Sequence, residues 1–382
     1  MRKKFSPLSK LAIKPDQPLI FPVFNKQGTL LAEKGTLLSS EQVEKILNLD
    51  EIFTKDRALK SALTGRNNTK DESNVIYKMA PPLKRLTALE KILHEINDHP
   101  EDPLSQSKLL TAVNRLQSIC EKSPDAAIAK IITDDNKDYA IRHAIHTAIL
   151  CELSGQHLNW EADERRHIIG AALTMNISLG YLQNKLLDQA QPLSLDQQKI
   201  IHEHPGKSVQ MLKKMGISNP TWLELVEKHH ENIEGTGYPS GLTQSDIPMA
   251  ASLISLSDVY CAKVTGRSYR EPIFANVAAR DIYLEKDQSQ QGTLIEVFVK
   301  LLGIYPPGCI VKLKSNEVGI VTRRGERVDT PEVMIINDAK NESLMFKVKR
   351  QTSQKNYAIQ SIVHSGLKTD KNQLNYDDIW PS

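Results

Sequence analysis

The chain has 382 residues, 40% of them apolar and 25% charged, with a formal net charge of +3. That length supplies core for two or three domains of an ordinary globular kind. The near balance of 49 basic and 46 acidic residues argues against a nucleic-acid surface, and no window approaches the roughly 18 apolar residues of a membrane span.

The N-terminus, "MRKKFSPLSKLAIKPDQPL", is basic but has no apolar stretch after it, so no signal peptide is expected. Residues 17–56 alternate apolar and polar positions around Asn-Lys-Gln-Gly and Glu-Lys-Gly turns, and "SSEQVEKILNL" reads as a capped helix. Residues 1–60 are therefore expected to be a small β-rich module, and the polar stretch 61–81 a linker. From 82 the apolar spacing changes to three and four residues, the period of a helix. The expectation is a helical hairpin over 82–122 and a helical domain over 123–303, including a helix in "FANVAARDIYLEKD". After "YPPG" short alternating runs return, which predicts a second β module over 304–366 and a tail over 367–382. The fold class expected is mainly α, a helical bundle flanked by small β-rich N- and C-terminal modules. Cys120, Cys151, Cys261 and Cys309 lie far apart without a CxxC pair, which suits a reducing cytoplasm better than a disulfide framework.

Histidine is unevenly spread, gathered between His94 and His230. His143 and His146 lie three apart and share a helix face. His202 and His204 precede a proline, and His229 and His230 are adjacent before "ENIEGTGYPSGL". Imidazoles drawn from several helices, with a carboxylate such as Asp258, suit zinc or a first-row transition metal. His94, His157, His167, His202 and His364 read as ordinary surface or core residues.

"HHENIEGTGYPSGL" resembles the second signature of the HD-GYP family, and the pattern can be followed in order over about 135–275. "DYAIRHAIHTAIL" is similar to the opening helix, with a metal-ligand position at His143. "IIHEHPGKSVQML" places the next ligand at His204, and "IPMAASLISLSDVY" places another at Asp258. The resemblance implies an HD-type helical phosphohydrolase domain whose members hydrolyse cyclic di-GMP with two or three metal ions, often iron or manganese. It also implies a bacterial, cytoplasmic setting in signal transduction. His143, His204, His229, His230 and Asp258 are then the metal ligands. Tyr238, Arg267 and Arg270 are the ligand-binding positions, the two arginines in "TGRSYREP" meeting phosphate.

The departures are equally specific. The His-Asp-x-Gly-Lys signature falls on "MNISL", so the ligand His is Met175, the ligand Asp is Asn176 and the Lys is Leu179. A binuclear centre gathers about four positive charges within about 4 Å, and a bridging carboxylate offsets that repulsion. Asn176 has no charge, Met175 is a soft donor poorly matched to iron or manganese, and Leu179 cannot stabilise charge on a phosphate. The expectation is a catalytically impaired protein that binds cyclic di-GMP or a protein partner, and holds fewer ions (iron, manganese or zinc) than an intact member. A phosphodiesterase of residual activity and a ligand-free scaffold are the alternatives.

Overall fold

The computed structural model describes residues 80–265, 290–340, 342–363 and 375–381, with residues 277, 278 and 281 and short pieces of 6–54. The chain divides into two compact units, Met1–Ala80 and Pro81–Ser382. Arg267, Arg270, His364, the linker over 61–79 and most of "FANVAARDIYLEKD" lie outside the described residues.

In the first unit β1 (Ser6–Pro7), β2 (Val23–Phe24), β3 (Leu30–Ala32) and β4 (Phe53–Thr54) form an antiparallel sheet of order β1-β4-β2-β3. Helix α1 (Ser40–Leu47) begins with a reciprocal cap. Gln42 N–H donates to Ser39 Oγ at 3.4 Å, and Ser39 N–H to Gln42 Oε1 at 2.9 Å. Val23, Ala32, Val43 and Ile46 are buried in one small core.

The second unit opens with α2 (Pro82–Asp98), α3 (Ser105–Lys122), α4 (Pro124–Thr133), α5 (Tyr139–His157) and α6 (Ala162–Thr174). Helix α5 is the axis of the bundle, with every residue from Ile145 to Gly155 buried. A helix buried on every side over such a stretch has no solvent face and belongs at the centre, with its polar groups His146 and Glu152 hydrogen-bonded inside. Helices α7 (Leu182–Asp188), α8 (Leu195–Lys214), α9 (Pro220–Lys228), α10 (Met249–Val264) and α11 (Gln290–Leu302) complete the bundle. The α6–α9 crossing depends on Gly170: a Cβ there would lie 2.3 Å from the Trp222 ring, whose Nε1–H donates to Thr174 Oγ1 at 3.0 Å.

Strands β5 (Ile310–Leu313), β6 (Val318–Arg323), β7 (Glu332–Asn337), β8 (Ser343–Gln351) and β9 (Ile359–Ile362) form an antiparallel sheet of order β8-β7-β6-β5-β9. The fold is thus mainly helical with two small sheets. The closing residues, expected as a tail, contain α12 (Tyr376–Ile379). Trp380 behind it is buried and donates Nε1–H to the Thr322 carbonyl of β6 at 2.9 Å. A lone tryptophan in a polar run has no periodicity to announce its burial.

Candidate metal centre

One helix end and three helix interiors build the site. His204 lies in α8, His229 ends α9, His230 follows it, and Asp258 lies in α10 facing His143 of α5. One ligand atom from each of His204, His229 and His230 lies within 4.8 Å of the others.

Two of these rings have defined tautomers. His229 Nδ1 lies 2.7 Å from the Val226 carbonyl, a group that the end of α9 leaves without a helix partner. His204 Nδ1 lies 2.5 Å from the Ile201 carbonyl. Carbonyl oxygens only accept, so both Nδ1 atoms carry the proton and both Nε2 atoms carry a lone pair. Those two Nε2 atoms face each other at 3.2 Å. Two bare lone pairs at that distance repel unless a cation lies between them.

The donor set fits a metal ion. A tetrahedral ion bound about 2.0–2.1 Å from each nitrogen separates its donors by about 3.3 Å, close to the spacing observed. Burial, with the neighbouring imidazoles, lowers the His204 pKa to about 4, puts His229 well below its ordinary value and lowers His230 as well. All three are therefore neutral at neutral pH, the form that binds metal.

His143 and Asp258 form a different pair. His143 Nε2–H donates to Asp258 Oδ1 at 2.5 Å, and His143 Nδ1 has no partner among the described residues. Burial pushes the Asp258 carboxyl up, but the His143 hydrogen bond and the imidazoles outweigh it and hold it ionised, well below the usual range. His146, on the same face of α5, turns to a separate network and bonds Asp134 Oδ2 at 2.9 Å.

A cavity of about 520 Å³ opens over this cluster. Asn176, Leu179, His204, His230, Tyr238 and Asp258 line it, together with Leu186, Leu187 and Leu193. Asp258 is the one carboxylate on the wall among the described residues, and neither Lys nor Arg is there. Met175 is buried. Ser178, in the same turn, donates its hydroxyl to the His204 carbonyl at 2.9 Å and receives Ser208 Oγ–H at 2.9 Å, which ties residues 175–181 to α8.

Glu231, the residue after the histidine pair, is buried and acts on the backbone. Its carboxylate accepts Ser240 N–H at 2.7 Å and Leu242 N–H at 2.8 Å, clamping the loop that carries Tyr238. Gly237 lets that loop approach, since a Cβ there would fall 2.3 Å from the Asn232 nitrogen. The Tyr238 ring stacks with His202 at 4.4 Å and with His230 at 4.6 Å between ring centroids. Sequence reasoning set His202 aside; its position two residues before His204 in a His-x-His-Pro run was the available signal.

The HD domain family matches residues 126–292, the stretch that holds all of these groups. Over 231 residues the chain is 26% identical to a cyclic di-GMP phosphodiesterase of Pseudomonas aeruginosa, covering 60% of this chain and 56% of that protein. Over 238 residues it is 23% identical to the cyclic di-GMP phosphodiesterase PdeB of Borreliella burgdorferi, covering 62% and 61%. It is also 27% identical over 144 residues to the 3'3'-cGAMP-specific phosphodiesterase 3 of Vibrio cholerae, covering 38% and 31%. Each match spans less than two thirds of the relative's length. These names agree with the HD-GYP resemblance carried by His143, His204, "HHENIEGTGYPSGL" and Asp258. The matched stretch brings His204, His229 and His230 together and places Asn176, Tyr238 and Asp258 on the cavity that adjoins them.

Proposed function

We propose that the chain is a degenerate HD-GYP protein that binds a cyclic dinucleotide, in the first place cyclic di-GMP, around a single metal ion, with little or no hydrolysis. The observation that carries this reading is the charge content of the cavity wall. Three neutral imidazoles can hold one ion. Asp258, the wall's one carboxylate among the described residues, is engaged by His143. With an amide at Asn176, no other described residue of the wall offers an anionic group to bridge a second ion. A bound metal would supply positive charge for a ligand phosphate. His204, His229 and His230 would hold it, Tyr238 would offer its hydroxyl, and Leu186 and Leu187 would add apolar lining. Arg267 and Arg270, carried over from the family pattern, are proposed to add phosphate contacts.

Isothermal titration tests binding, with zinc- or manganese-loaded protein and cyclic di-GMP, and 3'3'-cGAMP as the comparison. Saturable heat at micromolar ligand supports the reading, and none at high micromolar ligand rejects it. Anaerobic incubation with cyclic di-GMP and iron(II) or manganese(II) tests the impairment. Linear product formed at more than a trace rate favours the alternative, a working phosphodiesterase. That alternative draws its support from the five family ligand positions His143, His204, His229, His230 and Asp258, all present.

A further inference from the structure

We propose that Pro205 is a positioning residue for His204, because it holds that imidazole in the tautomer able to bind metal. The inference rests on the single-ion site proposed above, and its main readout does not need the metal. In an α-helix each carbonyl receives the N–H of the residue four positions on. Pro205 lies inside α8 and has no N–H, so the Ile201 carbonyl loses its helix partner. The His204 Nδ1–H takes that place at 2.5 Å. The proton is therefore held on Nδ1, and the Nε2 lone pair is presented to the site.

Proline inside a helix is costly, and its consequence here is local. Restoring an N–H at position 205 would return the Ile201 carbonyl to the backbone ladder. His204 Nδ1 would lose its acceptor. Its proton would then be better placed on Nε2, where the bare Nε2 of His229 waits at 3.2 Å. The two rings would close on each other as a hydrogen-bonded pair, and the donor pair would be lost. The neighbouring ligands provide internal comparisons. His229 is held by the Val226 carbonyl at a helix end and does not depend on Pro205. His230 is held by its stack on Tyr238 at 4.6 Å.

The test uses the full chain with 15N-labelled histidine, stripped of metal, at neutral pH. Two-bond proton–nitrogen spectra report the tautomer of each ring. The wild-type protein is expected to show His204 as Nδ1–H. Pro205→Ala and Pro205→Gly are both expected to shift it toward Nε2–H and leave His229 as Nδ1–H. In a zinc titration against a competing chelator both variants are expected to bind at least tenfold more weakly, the scale of lost outer-shell support. Alanine favours a helix and glycine does not, so their melting temperatures should differ while their tautomers agree. The proposal is overturned if His204 keeps Nδ1–H in both variants, if zinc affinity is unchanged, or if His229 changes tautomer as well. A wild-type protein that takes up no zinc would remove the metal-site reading, and the tautomer spectra would still decide the role of Pro205.

Discussion

His229 and Asn176 make opposite predictions about metal content. His229 presents Nε2 toward His204 with its tautomer fixed from behind, so His229→Ala removes one of three donors. Stoichiometric zinc in the wild type is expected to fall by at least tenfold in affinity, measured by elemental analysis after dialysis. Asn176→Asp adds a second carboxylate to the described wall of the cavity that Asp258 also lines. It is expected to raise bound manganese from one equivalent toward two, read by the same analysis; unchanged stoichiometry would mean that position 176 does not bridge. The histidine pair and the Met-Asn departure were legible in the sequence because each is a local pattern. The tautomers were not, since they depend on which carbonyl a helix end or a proline leaves open. Nor was the stacking on Tyr238, since adjacency of His202 and Tyr238 arises only when α8 packs against α9 and the loop after it.

At the scale of elements, the loop after His230 and the α2–α4–α5 corner each hang on buried charge. Glu231→Ala leaves the Ser240 and Leu242 N–H groups without their acceptor. The expected cost is about 2–3 kcal/mol in urea unfolding, with faster amide exchange over 235–242. At the corner, Lys130 Nζ bonds Glu90 Oε1 at 2.7 Å and Asp134 Oδ1 at 3.0 Å, and His146 Nε2–H donates to Asp134. Burial, against the pull of Asp134, lowers the His146 pKa from 6.5 to about 4. The folded protein therefore holds His146 neutral where the unfolded chain would protonate it. Stability is full above about pH 6.5 and is lost as pH falls toward 4, because the unfolded state binds more protons in that window. Between pH 7 and pH 5 the loss is about 2 kcal/mol. His204 and His229 titrate in the same sense, so the measurement is the difference in urea midpoints between wild type and His146→Gln. A variant as pH-sensitive as the wild type would show that His146 is not the group responsible. The helices themselves were legible from their three- and four-residue spacing. The His146–Asp134 bond was not, because it crosses the turn between α4 and α5, where no periodicity runs.

At the scale of the whole molecule, the second sheet is fastened to the bundle at three places, and these decide how the unit Pro81–Ser382 unfolds. Arg324, just after β6, donates to Asp125 of α4 at 2.6 Å. Gly308 approaches α4 so closely that a Cβ would lie 3.1 Å from the Ala129 carbonyl. Trp380 bonds the Thr322 carbonyl, and beside it Asp377 pairs with Lys84 of α2. The sequence alone suggested a change of texture at about residue 304 and a second small β module over 304–366, since alternation and helical spacing say nothing of what packs against what. These ties predict one cooperative transition for sheet and bundle together. All three tryptophans, Trp160, Trp222 and Trp380, belong to this unit, so tryptophan-selective fluorescence follows it without a signal from residues 1–80. The fluorescence midpoint in urea is expected to coincide with that of the helical circular dichroism. Trp380→Ala removes a buried ring and its hydrogen bond and is expected to cost about 3 kcal/mol or more. Because the same segment ties the sheet through Trp380 and the bundle through Asp377 and Lys84, both signals should move to lower urea together. A variant whose helical signal keeps its wild-type midpoint while the sheet is lost first would show that the two parts are coupled only weakly, and that α12 fastens the sheet without stabilising the site.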